Sequence, residues 1–414
     1  MIIKRNFGEF LSSGNIKDEG LQISEDTGNY SQPMTTTEIN TIIPLSSDTH
    51  YFDAKPNSNK LLIVLSATGT KPGRFNLWSL RDQIPHNILF LRVPTNDWYQ
   101  RGIPGLADSH DGTIEAIRSL AKAHKITDMY TCGSSMGAYG ALLYGTSLNC
   151  NVLAFNPEVE LKLPSSRSTK MMPKDAPVNF LDIRSEMKKS SAIFHIYTGE
   201  RDPVDLYCAD SVKDFVNVRV VTFPADEHTV LRTFVSSNRF LALMWSFMSG
   251  SESLILSDTG RAMSYDNFAY NFYHGWLAYQ GKDNEKCRQF LELALAEYPA
   301  SSYCQYMMGN TLYRLKDYEK GKDHILFALA LEPELPEHHV SLAYYFRQVG
   351  LLEEAVKTHL EIQKRWPESY QSKYELAMVY LALGKKSQAI AQLEAVIKLK
   401  PDRQNYKNAL AKIQ

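Results

Sequence analysis

The sequence predicts a doubly wound, mostly parallel α/β sheet over residues 51–250, followed by an all-α solenoid of helix pairs over residues 266–414. Two observations predict it. In the first part short apolar runs alternate with helical stretches, the pattern of strands joined by crossover helices. In the second, Pro299, Pro333, Pro367 and Pro401 recur every 34 residues, each closing an amphipathic stretch. A chain of 414 residues has room for both, because a single core rarely serves more than about 250–300 residues.

The predicted strands are Leu61 to Leu65, Ile88 to Val93, Met129 to Cys132, Val152 to Phe155, Ala192 to Tyr197 and Val218 to Phe223. Helices are expected at about 76–83, 111–124, 137–147, 205–216 and 229–248. Residues 1–50 form an N-terminal extension rich in Ser, Thr, Asn and Gly, expected to add antiparallel edge strands to the sheet; no role follows from them. Residues 251–265 read as a connector short enough for the two parts to touch.

Within each 34-residue unit small residues recur in phase. Gly309, Ala343 and Ala377 lie 24 residues before their prolines, and Gly321, Ala355 and Ala389 lie 12 before. These are places where two antiparallel helices approach too closely for a large side chain. The pattern over residues 266–414 resembles tetratricopeptide repeats, about four of them, with a polar capping helix after Pro401.

Charge excludes some functions. Forty-five Lys and Arg against 46 Asp and Glu leave a net charge of −1, without the positive surplus that phosphate-backbone binding needs. No apolar run approaches the roughly 20 residues of a membrane span, and Met1-Ile2-Ile3-Lys4-Arg5 is followed by no signal-like apolar segment. Cys132, Cys150, Cys208, Cys287 and Cys304 are scattered and odd in number, so neither a disulfide framework nor a metal site is indicated, and a cytoplasmic location is expected.

The chemistry centres on Gly133-Ser134-Ser135-Met136-Gly137, directly after a predicted strand and before a predicted helix. This is the setting of a nucleophile elbow, in which the serine sits on a strained turn and glycines keep side chains out of the strand–helix junction. With the extended Ser135-Met136-Gly137-Ala138-Tyr139-Gly140-Ala141-Leu142, the segment resembles the α/β-hydrolase family. That resemblance implies a Ser, acid, His order. Asp202, in Gly199-Glu200-Arg201-Asp202-Pro203, is the expected acid, with Glu200 and Asp205 in reserve. His228, 26 residues later at the end of the last strand, is the expected base, whereas His195 falls inside a strand and reads as structural. The amide of Met136 is one expected oxyanion donor, and Thr68 or Gly69, after the first strand, the other.

Trp98 and Tyr99 follow another strand end and either wall the pocket or pack a loop. Asn156 to Ser191 lies where the family inserts lids and carries Arg167, Lys170, Lys174, Lys188 and Lys189, suggesting a small, mobile, basic lid. The concave side of the solenoid is expected to be aromatic, with Phe272, Trp276, Tyr279, Tyr306, Tyr313, Tyr344 and Tyr374 facing inward to hold a protein partner or dock on the sheet domain. The resemblance implies a serine esterase or acyl hydrolase acting on an acyl ester or thioester, without cofactor. An acyltransferase using the same triad and a non-catalytic scaffold that assembles a complex are the alternatives.

Overall fold

The computed structural model describes residues 46–251 and 256–414. The expectation for residues 1–45, and residues 252–255 of the connector, lie outside the described residues.

Among the described residues, seven strands form one sheet: β1 (His50–Asp53), β2 (Lys60–Leu65), β3 (Asn87–Leu91), β4 (Asp128–Ser134), β5 (Asn151–Phe155), β6 (Phe194–Gly199) and β7 (Val218–Phe223). Their order is β1-β3-β2-β4-β5-β6-β7. Only β1, at one edge, runs antiparallel to its neighbour. Alternation within β2 explains why the sheet is covered on both faces. Leu61, Ile63 and Leu65 enter one core with Ile114, Ile117 and Tyr139. Leu62 and Val64 enter the other with Phe234, Phe240 and Phe247. The five apolar side chains of β2, Leu61 to Leu65, are fully buried, and each contributes about 1.5–3 kcal/mol through removal from water.

The first face is covered by α1 (His110–Ala123), α2 (Met136–Leu148) and α5 (Pro203–Asp210), with two short helices, α3 (Arg167–Met171) and α4 (Arg184–Lys189), in the insertion between β5 and β6. The second face is covered by α6 (Val230–Ser236) and α7 (Phe240–Ser249). A single helix over 229–248 does not form. It breaks at Ser237-Asn238-Arg239, where Asn238 takes φ 58°, a left-handed conformation that asparagine tolerates. The segment expected as a helix at 76–83 is a 3₁₀ turn, Trp78–Gln83.

Nine helices follow: α8 (Phe268–Gln280), α9 (Asn284–Glu297), α10 (Ser302–Arg314), α11 (Tyr318–Leu331), α12 (Pro336–Gln348), α13 (Leu352–Arg365), α14 (Tyr370–Ala382), α15 (Lys386–Leu399) and the short α16 (Gln404–Ala411). They form four pairs and a cap, in phase with the prolines. Close approach is visible at Gly309, where an added Cβ would lie 2.7 Å from Ile325, and at Gly321, where it would lie 2.5 Å from Tyr313.

The repeats pack directly on the sheet domain. Tyr273 of α8 stacks on Tyr207 of α5 at 4.6 Å and donates its hydroxyl to the Pro164 carbonyl at 2.9 Å. Buried Glu200, at the end of β6, accepts from Thr222 (2.6 Å), the Ala262 amide (2.9 Å) and the Tyr298 hydroxyl (3.2 Å). Gly260 passes so close that an added Cβ would fall 1.9 Å from the Glu200 carboxylate.

Candidate active site

The sharp turn from β4 to α2 sets Ser135. Its backbone takes φ 59° and ψ −124°, a conformation that costs about 1–3 kcal/mol and persists only where the surroundings fix it. Here its amide donates to the Phe155 carbonyl at 2.9 Å, and its own carbonyl accepts from Ala138 (2.9 Å) and Tyr139 (3.1 Å). Two glycines make the turn possible. A Cβ on Gly133 would lie 2.1 Å from the Gly137 carbonyl oxygen, and one on Gly137 would lie 2.1 Å from that of Leu65.

Ser135 Oγ lies 2.7 Å from His228 Nε2, and His228 Nδ1 lies 2.6 Å from Asp205 Oδ2. A hydroxyl, an imidazole and a carboxylate thus form one hydrogen-bonded line. His228 sits in the loop after β7, which is held against β6: an added Cβ on Gly199 would meet the Asp226 carbonyl oxygen at 2.1 Å. Asn156, after β5, ties the loops together. Its Nδ2 donates to Asp205 Oδ2 at 2.9 Å and to the Glu227 carbonyl at 3.3 Å, and its Oδ1 accepts from the Val230 amide at 3.3 Å.

The carboxylate facing the histidine is that of Asp205, not Asp202. Asp202 is the N-cap of α5: its Oδ1 accepts from the amides of Val204 and Asp205, both at 3.1 Å, and Pro203 takes the first helical position. Asp-Pro is a helix-start signature, and the capping geometry turns Asp202 toward its own backbone while Asp205, one turn on, faces the ring. The other oxygen of Asp202 pairs with Arg167 Nη2 at 2.7 Å. Glu200, the other reserve, is committed to the contact with the repeats.

Electrostatics separate the two aspartates. Burial pushes the Asp205 carboxyl above its ordinary value and Asp202 adds to this, against the lowering pull of His228 and Arg167. Burial also raises Asp202, but the charges of Arg167 and His228 and several hydrogen bonds bring it below its ordinary value. Asp202, Asp205 and His228 each bring a ligand-type atom within 4.8 Å of the others. The cation paired with both carboxylates there is the Arg167 guanidinium.

Met136 opens α2, where the first amides have no intrahelical partner and the positive end of the helix dipole is exposed. Gly69, one of the two residues named for the second donor beside Thr68, donates its amide to Asn96 Oδ1 at 3.3 Å. Trp98 and Tyr99 are core residues and not a pocket wall: both are fully buried, and the Tyr99 hydroxyl donates to the Ser66 carbonyl at 2.8 Å. His195, half-buried on β6, packs against Phe247 at 5.4 Å.

The insertion between β5 and β6 is tied down rather than free. Met172, Ile183 and Met187 enter the core, and Lys170 lies over the Trp276 ring at 5.4 Å. Among the inward aromatics, Phe272 and Tyr313 are buried packing residues. Trp276, Tyr279, Tyr306, Tyr344 and Tyr374 are half-buried, Tyr279 under Arg314 at 3.5 Å and Tyr344 under Arg347 at 5.0 Å. A cavity of about 560 Å³ lies on the repeats, lined by Arg288, Glu292, Leu312 and His324 among others, and includes no triad residue.

Residues 346–413 match the family model described as tetratricopeptide repeat, and the C-terminal region carries such repeats. A search of curated proteins finds no match. Among solved structures, MamA from Desulfovibrio magneticus RS-1 is 16% identical over 36% of this chain and 84% of its own, with a TM-score of 0.31. PilF from Pseudomonas aeruginosa is 18% identical over 36% and 68%, with a TM-score of 0.32. The first repeat domain of Spaghetti, bound to an HSP90 peptide, is 15% identical over 29% and 95%, with a TM-score of 0.27. At those scores the likenesses carry no argument about function.

Proposed function

We propose that the sheet domain is a serine acyl hydrolase of the α/β-hydrolase type, cleaving an acyl ester or thioester, and that the repeats dock a protein partner or substrate. One observation carries the reading: Ser135, His228 and Asp205, from three separate segments of the chain, meet at 2.7 and 2.6 Å. In the cycle, His228 Nε2 takes the Ser135 proton as Oγ bonds to the acyl carbon, and the carbonyl electron pair moves onto oxygen, facing the Met136 amide and that of Thr68 or Gly69. The carbonyl re-forms as the leaving group departs with the proton from Nε2. Water, deprotonated by the same nitrogen, then releases the acid and returns the proton to Oγ. Asp205 holds the Nδ1–H tautomer and stabilises the imidazolium. An alcohol or sugar in place of water would make the same steps an acyl transfer.

A second reading, a non-catalytic scaffold, is favoured by the tetratricopeptide match over residues 346–413, since repeats of this kind present surfaces to proteins. A fluorophosphonate probe separates the two. The hydrolase reading expects an adduct on Ser135 that vanishes in Ser135→Ala and falls sharply in His228→Ala. Folded wild-type protein that takes up no label would leave the scaffold. A panel of p-nitrophenyl esters and acyl thioesters then defines the chain length accepted.

A further inference from the structure

Behind the imidazole lies a crowded group of carboxylates with the Arg167 guanidinium among them. Asp205 is faced by Asp202 at the start of its own helix, by Glu158 and Asn156 from the segment after β5, by His228 from the loop after β7, by Arg167 from α3, and by Cys208 one turn along α5. Its Oδ2 accepts from His228 and Asn156. Its Oδ1 is buried with no hydrogen bond among the described residues, and Arg167 Nη1 stands 3.7 Å away. The same guanidinium pairs with Asp202 at 2.7 Å. Its backbone is fixed, because Ser166 and Ser168 on either side are buried and Ser168 donates both its amide (2.9 Å) and its hydroxyl to the carboxylate of buried Glu158.

We infer that Arg167, carried by the insertion between β5 and β6, is a positioning residue for the proposed reaction: it holds Asp202 as its ion-pair partner and keeps Asp205 ionised toward His228. The inference rests on the serine hydrolase reading for its catalytic meaning. The physical argument is a balance of charges. Of two adjacent carboxylates, one buried and one nearly so, each disfavours ionisation of the other, and without a cation one is driven to take up a proton. Remove Arg167, and of the two charges that oppose Asp202 at Asp205 His228 alone remains, so Asp205 takes up a proton more readily. A neutral Asp205 no longer stabilises the imidazolium. The planar fork of arginine reaches both carboxylates at once, which a lysine ammonium does only as a point charge.

The test follows fluorophosphonate labelling rates of the full chain from about pH 5 to pH 9, the range in which an acid–base pair of this kind titrates. Wild type, Ser135→Ala, Arg167→Gln, Arg167→Lys and the double variant Arg167→Gln/Asp202→Asn are compared, with thermal unfolding to verify folding. Arg167→Gln is expected to move the acid limb up by about one pH unit, a roughly tenfold slower rate on that limb, with the alkaline plateau nearly unchanged. Arg167→Lys is expected to recover part of it. The double variant, which removes the competing carboxylate as well, is expected to recover most. An unchanged profile in folded Arg167→Gln, or a uniform loss that the double variant does not repair, overturns the inference. Should Arg167→Gln not fold, the lysine and double variants decide on the same terms. Absence of Ser135 label in wild type instead overturns the hydrolase reading; the charge balance is then read from the low-field NMR signal of the His228 Nδ1 proton. That signal is expected to be lost in Arg167→Gln at neutral pH and restored in the double variant, and its persistence in Arg167→Gln refutes the role given to Arg167.

Discussion

Replacing Asp205 by Asn tests which carboxylate serves the histidine, and the structure allows the loss to be worked out. Asp205 Oδ2 accepts from both His228 Nδ1 and Asn156 Nδ2, so the new amide keeps its oxygen at that position and turns its NH₂ toward the Arg167 side. The opposite flip would set two donors against each other at Asn156. The ring therefore keeps its tautomer and loses only the charge. Two charges about 4 Å apart at an effective dielectric near 20 attract by about 4 kcal/mol, which corresponds to a roughly 10³-fold slower acylation. Asp202→Asn provides the contrast: Asn caps a helix as well as Asp does, and the residue does not touch the ring, so the expected change stays within about tenfold at neutral pH. Stopped-time fluorophosphonate labelling, with intact mass reporting the adduct, measures both. An Asp202→Asn loss equal to or greater than that of Asp205→Asn would refute this assignment.

Further outcomes follow from the packing. Gly137→Ala places a Cβ 2.1 Å from the Leu65 carbonyl oxygen, and overpacking against fixed backbone is expected to cost about 3 kcal/mol or more, seen as a lower Tm together with loss of label. Tyr298→Phe removes the hydroxyl that Glu200 accepts at 3.2 Å; a cost of about 2 kcal/mol should appear in urea unfolding, and an unchanged midpoint would deny this contact a role in joining the repeats to the sheet. His338 and His359 are buried in the repeats and pushed down to about 4, by burial first and by Arg201 and Arg347 respectively. Since each folded value lies below the unfolded one, the unfolded chain binds protons first as pH falls below about 6.5. Stability should drop between pH 6.5 and pH 4 by up to about 3 kcal/mol for each histidine, and His338→Gln should flatten that slope in a urea series. Asp202 has the same relation at lower pH: its folded value is depressed too, so its stabilisation is complete above the ordinary aspartate value near pH 4 and is lost below it, and Asp202→Asn should remove that acid step.

Local patterns carried much of this molecule. The β2 run Leu61 to Leu65 is legible because every residue is apolar and the strand is buried on both faces. The elbow is legible because Gly133 and Gly137, which its close contacts require, stand within one run of five residues around Ser135. The repeats are legible because Gly309 and Gly321 mark helix crossings at a fixed spacing. The break at Asn238 was hidden, since the apolar pattern runs on through a tripeptide whose turn depends on a single left-handed residue.

Asp202 and Asp205 mark where local reading ends. By sequence the two are three residues apart, one in a loop and one where a helix is expected to begin, and Asp202 before proline has the more conspicuous setting. The choice depends on the path of the backbone into α5, on Arg167 arriving from 35 residues away, and on Asn156 from 49 residues away. Likewise Glu200 carried no sign that its partners would be Ala262 and Tyr298. The sequence by itself determined the strands, the strained serine turn and the repeat phase, because sterics and burial within a few residues dictate them. Tertiary structure alone decided which acid meets the histidine, which cation balances it and where the repeats dock, because charges and hydrogen bonds act between groups that only the folded chain brings within 3 to 4 Å.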